Sequence, residues 1–454
     1  MTFPRLLVIA ILLVASVSNG ADLTATIGKQ SVVMADEQFG LRYFPDQPVC
    51  ILSQQPLRFF LVAGDKTVLM EGRSLETAEL VKTVLEPSKQ SGSYDEQYSG
   101  VNSVFMNKDR KEILAFFHAE KPTGGRDKEG TFRFYASIGL AVSNDGTTLN
   151  KVGPILTGRP QDPNWMGTAQ GNAEPSVCLD HTGKWLYLYY TEHSQKDAAT
   201  GKSRGVITCM ARSKVEDGAR PGTWKKFYKG SFSEPGLGGK DSEIANCYAA
   251  SVTYIPAMKK YIMVASRGCV GYYTSDDGIK WSNPTILFKL DDVPIIDKEI
   301  AIHPSLHIER ATATEASGLL MYGYSPKYGH DSPNSPHFLV KRPITFKATA
   351  VVSTEEPPKK KIDGSGDTDG LKKKLAGTTW VNTRQVLFEW TKDGRFRHNG
   401  NDVPWKVIGP GKVEVVLNAD RIDTLVFNDS FTEFKQLIKG GPDSYDGKLM
   451  KQPK

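Results

Sequence analysis

The chain has 454 residues, enough for two domains and a large core. A hydrophobic content of 39% with 10% aromatic residues fits a β-rich globular protein with many turns. The formal net charge of +6, from 57 Lys+Arg against 51 Asp+Glu, is diluted over this length and does not argue for nucleic acid, so no nucleic-acid partner is expected.

The N-terminus reads as a secretory leader. Arg5 supplies the positive end, residues 6–14 form an apolar run too short to span a bilayer, and Ser18-Asn19-Gly20 offers a small-x-small cleavage site before Ala21. No later stretch is long enough for a membrane span, so the expected location is secreted or periplasmic.

A strand-rich module then recurs five times between residues 45 and 350. The first copy holds Val49-Cys50-Ile51-Leu52, Arg58-Phe59-Phe60-Leu61-Val62 and Thr67-Val68-Leu69-Met70. The second runs from Val101-Asn102-Ser103-Val104 through Ile113-Leu114-Ala115-Phe116-Phe117 to Ile138-Gly139-Leu140-Ala141-Val142-Ser143. The third is the clearest: Glu174-Pro175-Ser176-Val177, Trp185-Leu186-Tyr187-Leu188-Tyr189-Tyr190, Val206-Ile207-Thr208-Cys209-Met210-Ala211 and Trp224-Lys225-Lys226-Phe227-Tyr228. The fourth follows from Ala250-Ser251-Val252-Thr253, and the last opens at His303-Pro304-Ser305-Leu306. The strands are short, β-branched and aromatic, bounded by Gly, Asp, Asn and Pro, and no long stretch has the helical period. Four-stranded units repeated in this way predict an all-β fold, a five-bladed β-propeller over residues 21–350. Residues 22–48 are too short and irregular to favour a sixth blade. The Ser143-Asn144-Asp145-Gly146 and Ser275-Asp276-Asp277-Gly278 segments read as structural turns.

Five cysteines, Cys50, Cys178, Cys209, Cys247 and Cys269, are an odd count for an exported chain. They fall on or near strands, with Cys178 and Cys209 on non-adjacent strands of one blade, and are expected to be mostly buried free thiols. No Cys-x-x-Cys spacing suggests a metal site.

Residues 351–374, with Pro357-Pro358-Lys359-Lys360-Lys361 and Lys372-Lys373-Lys374, read as a charged linker. Residues 375–440 alternate as strands around Trp380, Trp390 and Trp405, with Asp393-Gly394 as a hairpin turn, and predict a small β-sheet or barrel. The pattern Gly377-Thr378-Thr379-Trp380 followed by Asp393-Gly394-Arg395-Phe396 resembles small lipocalin-like modules appended to secreted bacterial proteins. Core packing is the expected role of its tryptophans. Residues 441–454 read as a tail.

In a propeller the first strand of each blade lines the axis. Aligned on Pro-Ser-Val, Glu174 and His303 take equivalent positions, with Val101 and Ala249 in two other blades. Here the chain resembles the five-bladed propeller glycoside hydrolases, the superfamily around families 32, 43, 62 and 68. The resemblance covers roughly residues 40–350 and rests on the blade pattern, Glu-Pro-Ser-Val, His-Pro-Ser-Leu, Leu188-Tyr189-Tyr190-Thr191 and Ala211-Arg212-Ser213. It implies three inward carboxylates: a base or nucleophile, a second that tunes pKa, and an acid. One carboxyl must stay protonated for the leaving oxygen while the other is ionised. Only Glu174 matches directly, with Glu in place of Asp, and takes the tuning role. Asp95 or Glu96 is then the expected base, and Glu243 or Asp241 the expected acid, each from the loop before a first strand. Tyr98, Trp165 and Tyr248 supply aromatic platforms for a sugar, with Asn102, Asn172, Asn246, Arg267 and His303 as polar partners.

The expected ligand is an oligo- or polysaccharide. No cofactor is implied, and an axial calcium is left open. The expected function is hydrolysis of glycosidic bonds. The competing readings are glycan binding without cleavage, a purely structural propeller, and a six-bladed sialidase-like enzyme; the last is disfavoured because no Arg triad precedes the right strands.

Overall fold

A computed structural model describes residues 23–35, 37–126, 132–160, 167–193, 206–266, 269–290, 299–326 and 336–348, and most of 368–451. The leader, Trp165, Arg267 and the Pro- and Lys-rich part of the linker lie outside the described residues. The chain divides into two units between Val351 and Val352.

The first unit carries five blades of antiparallel strands, and the two earliest strands, β1 (Leu23–Ile27) and β2 (Ser31–Met34), belong to the last blade. Blade one is β3 (Cys50–Gln54), β4 (Leu57–Ala63), β5 (Lys66–Gly72) and β6 (Glu79–Leu85). Blade two is β7 (Tyr98–Asn107), β8 (Glu112–Arg126), β9 (Phe132–Ser143) and β10 (Asn150–Thr157). Blade three is β11 (Ala169–Leu179), β12 (Trp185–Glu192), β13 (Ile207–Lys214) and β14 (Lys225–Tyr228), extended by β15 (Ser231–Pro235). Blade four is β16 (Tyr248–Ile255), β17 (Lys260–Ser266), β18 (Cys269–Ser275) and β19 (Thr285–Lys289). Blade five is β20 (Ile300–Ala311), β21 (Glu315–Ser325) and β22 (Phe338–Ala348), and β1 and β2 pair along β22 as its outer strand. The segment that could have hidden a sixth blade therefore closes the fifth. It covers the edge of β22, which would otherwise present unpaired amides.

Packing explains why these strands read as unbroken apolar runs. Each blade is sandwiched between two others, so both faces of its strands are buried. On β12, Leu186, Leu188 and Tyr190 pack toward blade two, while Tyr187 and Tyr189 pack toward blade four. Five separate cores result, one between each pair of neighbouring blades. Hydroxyls on the inner strands stitch the blades together. Ser103 Oγ donates to Pro175 O at 3.0 Å and accepts from Val177 N at 3.1 Å, and Ser176 Oγ accepts from Val252 N at 2.8 Å.

Asp145 and Asp277 cap the turns after β9 and β18, accepting from Thr147 N and Ile279 N, each at 2.8 Å. All five cysteines are free thiols; four are buried and Cys269 is half-buried.

The second unit has a helix, α1 (Thr368–Leu375), and a nine-stranded antiparallel meander. Its strands are β23 (Thr379–Asn382), β24 (Leu387–Trp390), β25 (Phe396–His398), β26 (Asn401–Val403), β27 (Trp405–Gly409), β28 (Lys412–Asn418), β29 (Arg421–Phe427), β30 (Glu433–Ile438) and β31 (Ser444–Lys451). β31 returns to pair with β23, so the ring is open only between β26 and β27, where Pro404 intervenes. Two expectations are corrected here. Residues 368–374 are helical rather than linker, because Leu371 and Leu375 bury against the barrel core. Residues 444–451 are a strand rather than a tail, because β23 and β30 both need a partner. Trp380 and Trp390 are fully buried among Phe388, Phe396, Phe427 and Phe434, so they pack the core.

Candidate functional site

The five first strands converge on the axis, and each slips register near the same place: after Ile51, Val101, Ala173, Tyr248 and Ile302. A bulge re-aims the side chain it carries. In three blades the residue two before the serine adopts a left-handed backbone: Glu174 (φ 52°), Ala249 (φ 47°) and His303 (φ 48°). Such a conformation costs a non-glycine residue about 1–3 kcal/mol, and it recurs where a side chain must be held in place.

Around this ring lies a cavity of about 510 Å³. Its acids are Asp46, Asp65, Glu120 and Glu174, its imidazoles His118 and His303, and its aromatic walls Tyr43, Tyr98, Phe132, Phe134 and Tyr248. Gln47 anchors one side. Its amide donates to Tyr98 Oη at 3.1 Å and accepts from Asn102 Nδ2, whose own Oδ1 takes the His118 amide at 3.1 Å. Asn102 is therefore buried beneath the cavity, holding Gln47 and the backbone of β8 in place.

Glu174 is 5% exposed. Burial raises its carboxyl to about 7; the hydroxyls of Thr191 and Tyr248 beside it pull it partway back, and the Asp46 charge pushes it up. Its Oε2 is buried and has no hydrogen-bond partner. His193 Nε2 stands 3.9 Å from Oε1, but burial lowers that imidazole to about 4, so the contact joins a carboxyl to a neutral ring and is no ion pair at neutral pH. Burial and the neighbouring imidazoles likewise lower His118, to about 3, although the charge of Asp46 raises it.

Of the sequence candidates, the cavity brings together Glu174, Tyr98, Tyr248 and His303. The other acids stand elsewhere. Asp95 is 1% exposed and paired with Lys151, with Ser93 and Ser99 hydroxyls as further donors. Asp241 accepts from Lys226 and from the Tyr190 hydroxyl. Asn172 is fully buried in the same network, accepting from Lys226 Nζ at 2.7 Å and donating to Glu192. Glu96 caps its own turn by accepting from Gly92 N at 2.7 Å. Glu243 and Asn246 are exposed, and the Asn246 carbonyl accepts from Tyr273 Oη at 3.5 Å. Trp165 and Arg267 lie outside the described residues.

These placements give a direct expectation for Asp95. Asp95→Asn should cost about 1–3 kcal/mol of stability, since it removes the charge partner of Lys151, which is 26% exposed and keeps Glu86 O as an acceptor, and should leave turnover per folded molecule unchanged. Urea unfolding beside an activity assay reads both. Lost turnover with unchanged stability would restore Asp95 to the machinery.

The side chains that sequence reasoning missed include Tyr43, Asp46, Gln47, Asp65, His118, Glu120, Phe132 and Phe134. One signal was available. Gln47-Pro48-Val49 repeats the x-Pro step of Glu174-Pro175-Ser176 and His303-Pro304-Ser305. The rest come from loops and from the second and third strands of blade two, where no repeat marks them.

A larger cleft of about 1080 Å³ lies between blades three and four. Its carboxylates are already engaged: Asp180 accepts from Lys184 N and Trp185 N at 2.9 Å, and Asp276 pairs with Lys260. The axial cavity is smaller but holds the unsatisfied acid. Among the described residues no group of three or more His, Cys, Asp or Glu could hold a metal ion. No helix among them is long and apolar enough to cross a membrane.

No family model matches the sequence, and no curated protein matches it. The chain is similar in structure to an endo-1,5-α-L-arabinanase from Thermotoga petrophila, at 11% identity and a TM-score of 0.40, over 91% of this chain and 99% of that one. It is similar to a family-43 glycoside hydrolase from Bacillus licheniformis at 13% identity and a TM-score of 0.38, over 89% and 98%. It is also similar to an N-acetylgalactosamine deacetylase from F. plautii, at 13% identity and a TM-score of 0.41, over 71% and 95%. The five-blade assignment rests on the strand pairing described above.

Proposed function

We propose that the axial cavity binds an oligosaccharide and hydrolyses a glycosidic bond. Glu174 donates the proton to the leaving oxygen, and Asp46 is the ionised partner that serves as base or nucleophile. The observation that carries this reading is the buried Glu174 carboxyl, half-protonated near neutral pH, with one oxygen aimed at no protein donor. Glycoside hydrolysis needs two carboxyls in unlike environments. Glu174 is buried, whereas Asp46 is half-exposed and its charge acts on Glu174. The rings of Tyr98 and Tyr248 suit the apolar face of a sugar, and the amides and imidazoles suit its hydroxyls.

A second reading, glycan binding without cleavage, is favoured by one fact. Of the five acids singled out in the sequence, only Glu174 lines the cavity. The test is hydrolysis of a panel of oligo- and polysaccharides by the chain from Ala21 onward, beside Asp46→Asn and Glu174→Gln. Turnover by the wild type that both variants lose supports the enzyme. Binding without turnover by the wild type moves the protein to the second reading.

Export is part of the same proposal. The mature protein should begin at Ala21 and be recovered outside the cytoplasm. An intact mass that still includes residues 1–20 in all of the recovered protein would sink that part.

A further inference from the structure

The hairpin of β8 and β9 is longer than its blade requires. β8 runs for 15 residues and β9 for 12, whereas β12 and β17, the second strands of blades three and four, run for 8 and 7. The pairing proceeds regularly to Pro122 opposite Phe134, skips, and resumes with Arg126 opposite Phe132. The skipped residues include Gly124 and Gly125, at φ 82° and 75°. Two consecutive left-handed residues are open to glycine without strain, and an insertion of this kind bends the strand that carries it. The arm contributes Phe132 and Phe134 to the wall of the axial cavity, with Glu120 at its base opposite Tyr98.

Phe132 is 53% exposed, and of the large apolar side chains exposed among the described residues it alone lines that cavity. Its ring is not loose. The Arg126 guanidinium sits 3.6 Å from the ring centroid, a cross-strand cation–π contact that fixes the plane of the ring. Phe134, half-buried, leans on His118 with ring centroids 6.1 Å apart and continues the apolar surface inward.

We infer that the arm is a second sugar-binding subsite, in which Phe132, held by Arg126, stacks a pyranose or furanose ring of the substrate beyond the one engaged by Glu174. The inference rests on the carbohydrate reading above and narrows it. The substrate class is an oligosaccharide long enough to reach from the axis to the arm, and a single glycoside makes no use of the platform. Stacking on an aromatic face gives affinity without depending on which hydroxyls the sugar carries. Phe132 thus contributes length selectivity, while identity is read at the cavity floor.

The test compares the wild type with Phe132→Ala and Phe132→Trp on oligosaccharides of two to six units and on the matching 4-nitrophenyl monoglycosides. The expected result is a KM for the longer oligosaccharides raised roughly three- to tenfold in Phe132→Ala, with kcat unchanged. Monoglycoside kinetics should stay the same, and Phe132→Trp should restore the oligosaccharide KM. Equal losses on both substrate types, or no loss on either, overturn the subsite. If the wild type binds the oligosaccharides without cleaving them, the hydrolase reading fails. The same comparison is then read as dissociation constants, and a selective loss in Phe132→Ala still supports the platform. No binding and no cleavage by the wild type overturns both.

Discussion

Glu174→Gln is expected to lower turnover by a factor of about 10²–10⁴, the usual contribution of a positioned general acid, and at the same time to make the propeller more stable in alkaline solution. The two effects share one cause. The native carboxyl titrates at about 7 against 4.5 for an unperturbed glutamate. A folded-state value above the unfolded one means that the native state holds its proton more tightly. The stability linked to that proton is fully present below pH 4.5 and is lost as pH rises through about 7. Above that window the wild type buries an ionised carboxylate at a cost of about 3 kcal/mol; Gln carries no such charge. The variant should therefore gain up to about that much at pH 9 relative to the wild type, and under about 1 kcal/mol of it at pH 5. Denaturant unfolding at the two pH values reads the difference. The kinetic counterpart is a wild-type kcat/KM that falls as pH rises through about 7, where the donor loses its proton. A flat profile through that range, or a stability gain independent of pH, removes Glu174 from the role of acid.

The blades were legible because sandwiching between neighbours demands apolar side chains on both faces of each strand. Runs such as Leu186-Tyr187-Leu188-Tyr189-Tyr190 then stand out against the turns. The closing strand was not legible. β1 and β2 pair with residues more than 300 positions away, and nothing local marks Leu23 as the partner of Ala348. Glu174, His303, Tyr98 and Tyr248 could be found because inner strands repeat and their x-Pro or aromatic starts align. His118 and Glu120 could not, because they sit on the second strand of blade two, opposite Gly100 and Tyr98, and no repeat marks a second strand as axial. Asp95 and Asp241 looked like rim acids because both precede first strands. Their lysines come from other strands, Lys151 on β10 and Lys226 on β14, and a sequence does not show which side chains such strands bring together. Ser444–Lys451 looked like a tail because its composition is polar, yet a meander that must close on β23 takes whatever strand follows β30.

Lys226→Met is expected to be the most destabilising of these substitutions, by about 3–5 kcal/mol. Its ammonium is fully buried and donates to Thr157 O at 2.8 Å, Asn172 Oδ1 at 2.7 Å, Gly239 O at 3.1 Å and the Asp241 carboxylate. Four acceptors from β10, β11 and the loop after β15 thus converge on one cation that ties blade two to blade three. Methionine fills the volume but takes the donor from Gly239 O, Asn172 Oδ1 and the buried Asp241 carboxylate, while Thr157 O keeps Gly238 N at 3.2 Å; the uncompensated charge is the larger part of the loss. Removing that charge as well should recover part of it, so Lys226→Met with Asp241→Asn should be more stable than Lys226→Met alone. The same pair of residues settles the role of Asp241. Asp241→Asn should weaken the fold while each folded molecule keeps its turnover, because the carboxylate is spent on Lys226 and Tyr190 rather than on substrate. Guanidinium unfolding of the four proteins, with activity normalised to folded fraction, reads both halves. A silent Lys226→Met, or an Asp241→Asn that folds normally and turns nothing over, would return Asp241 to the catalytic acids and reopen the loop before β16 as part of the site.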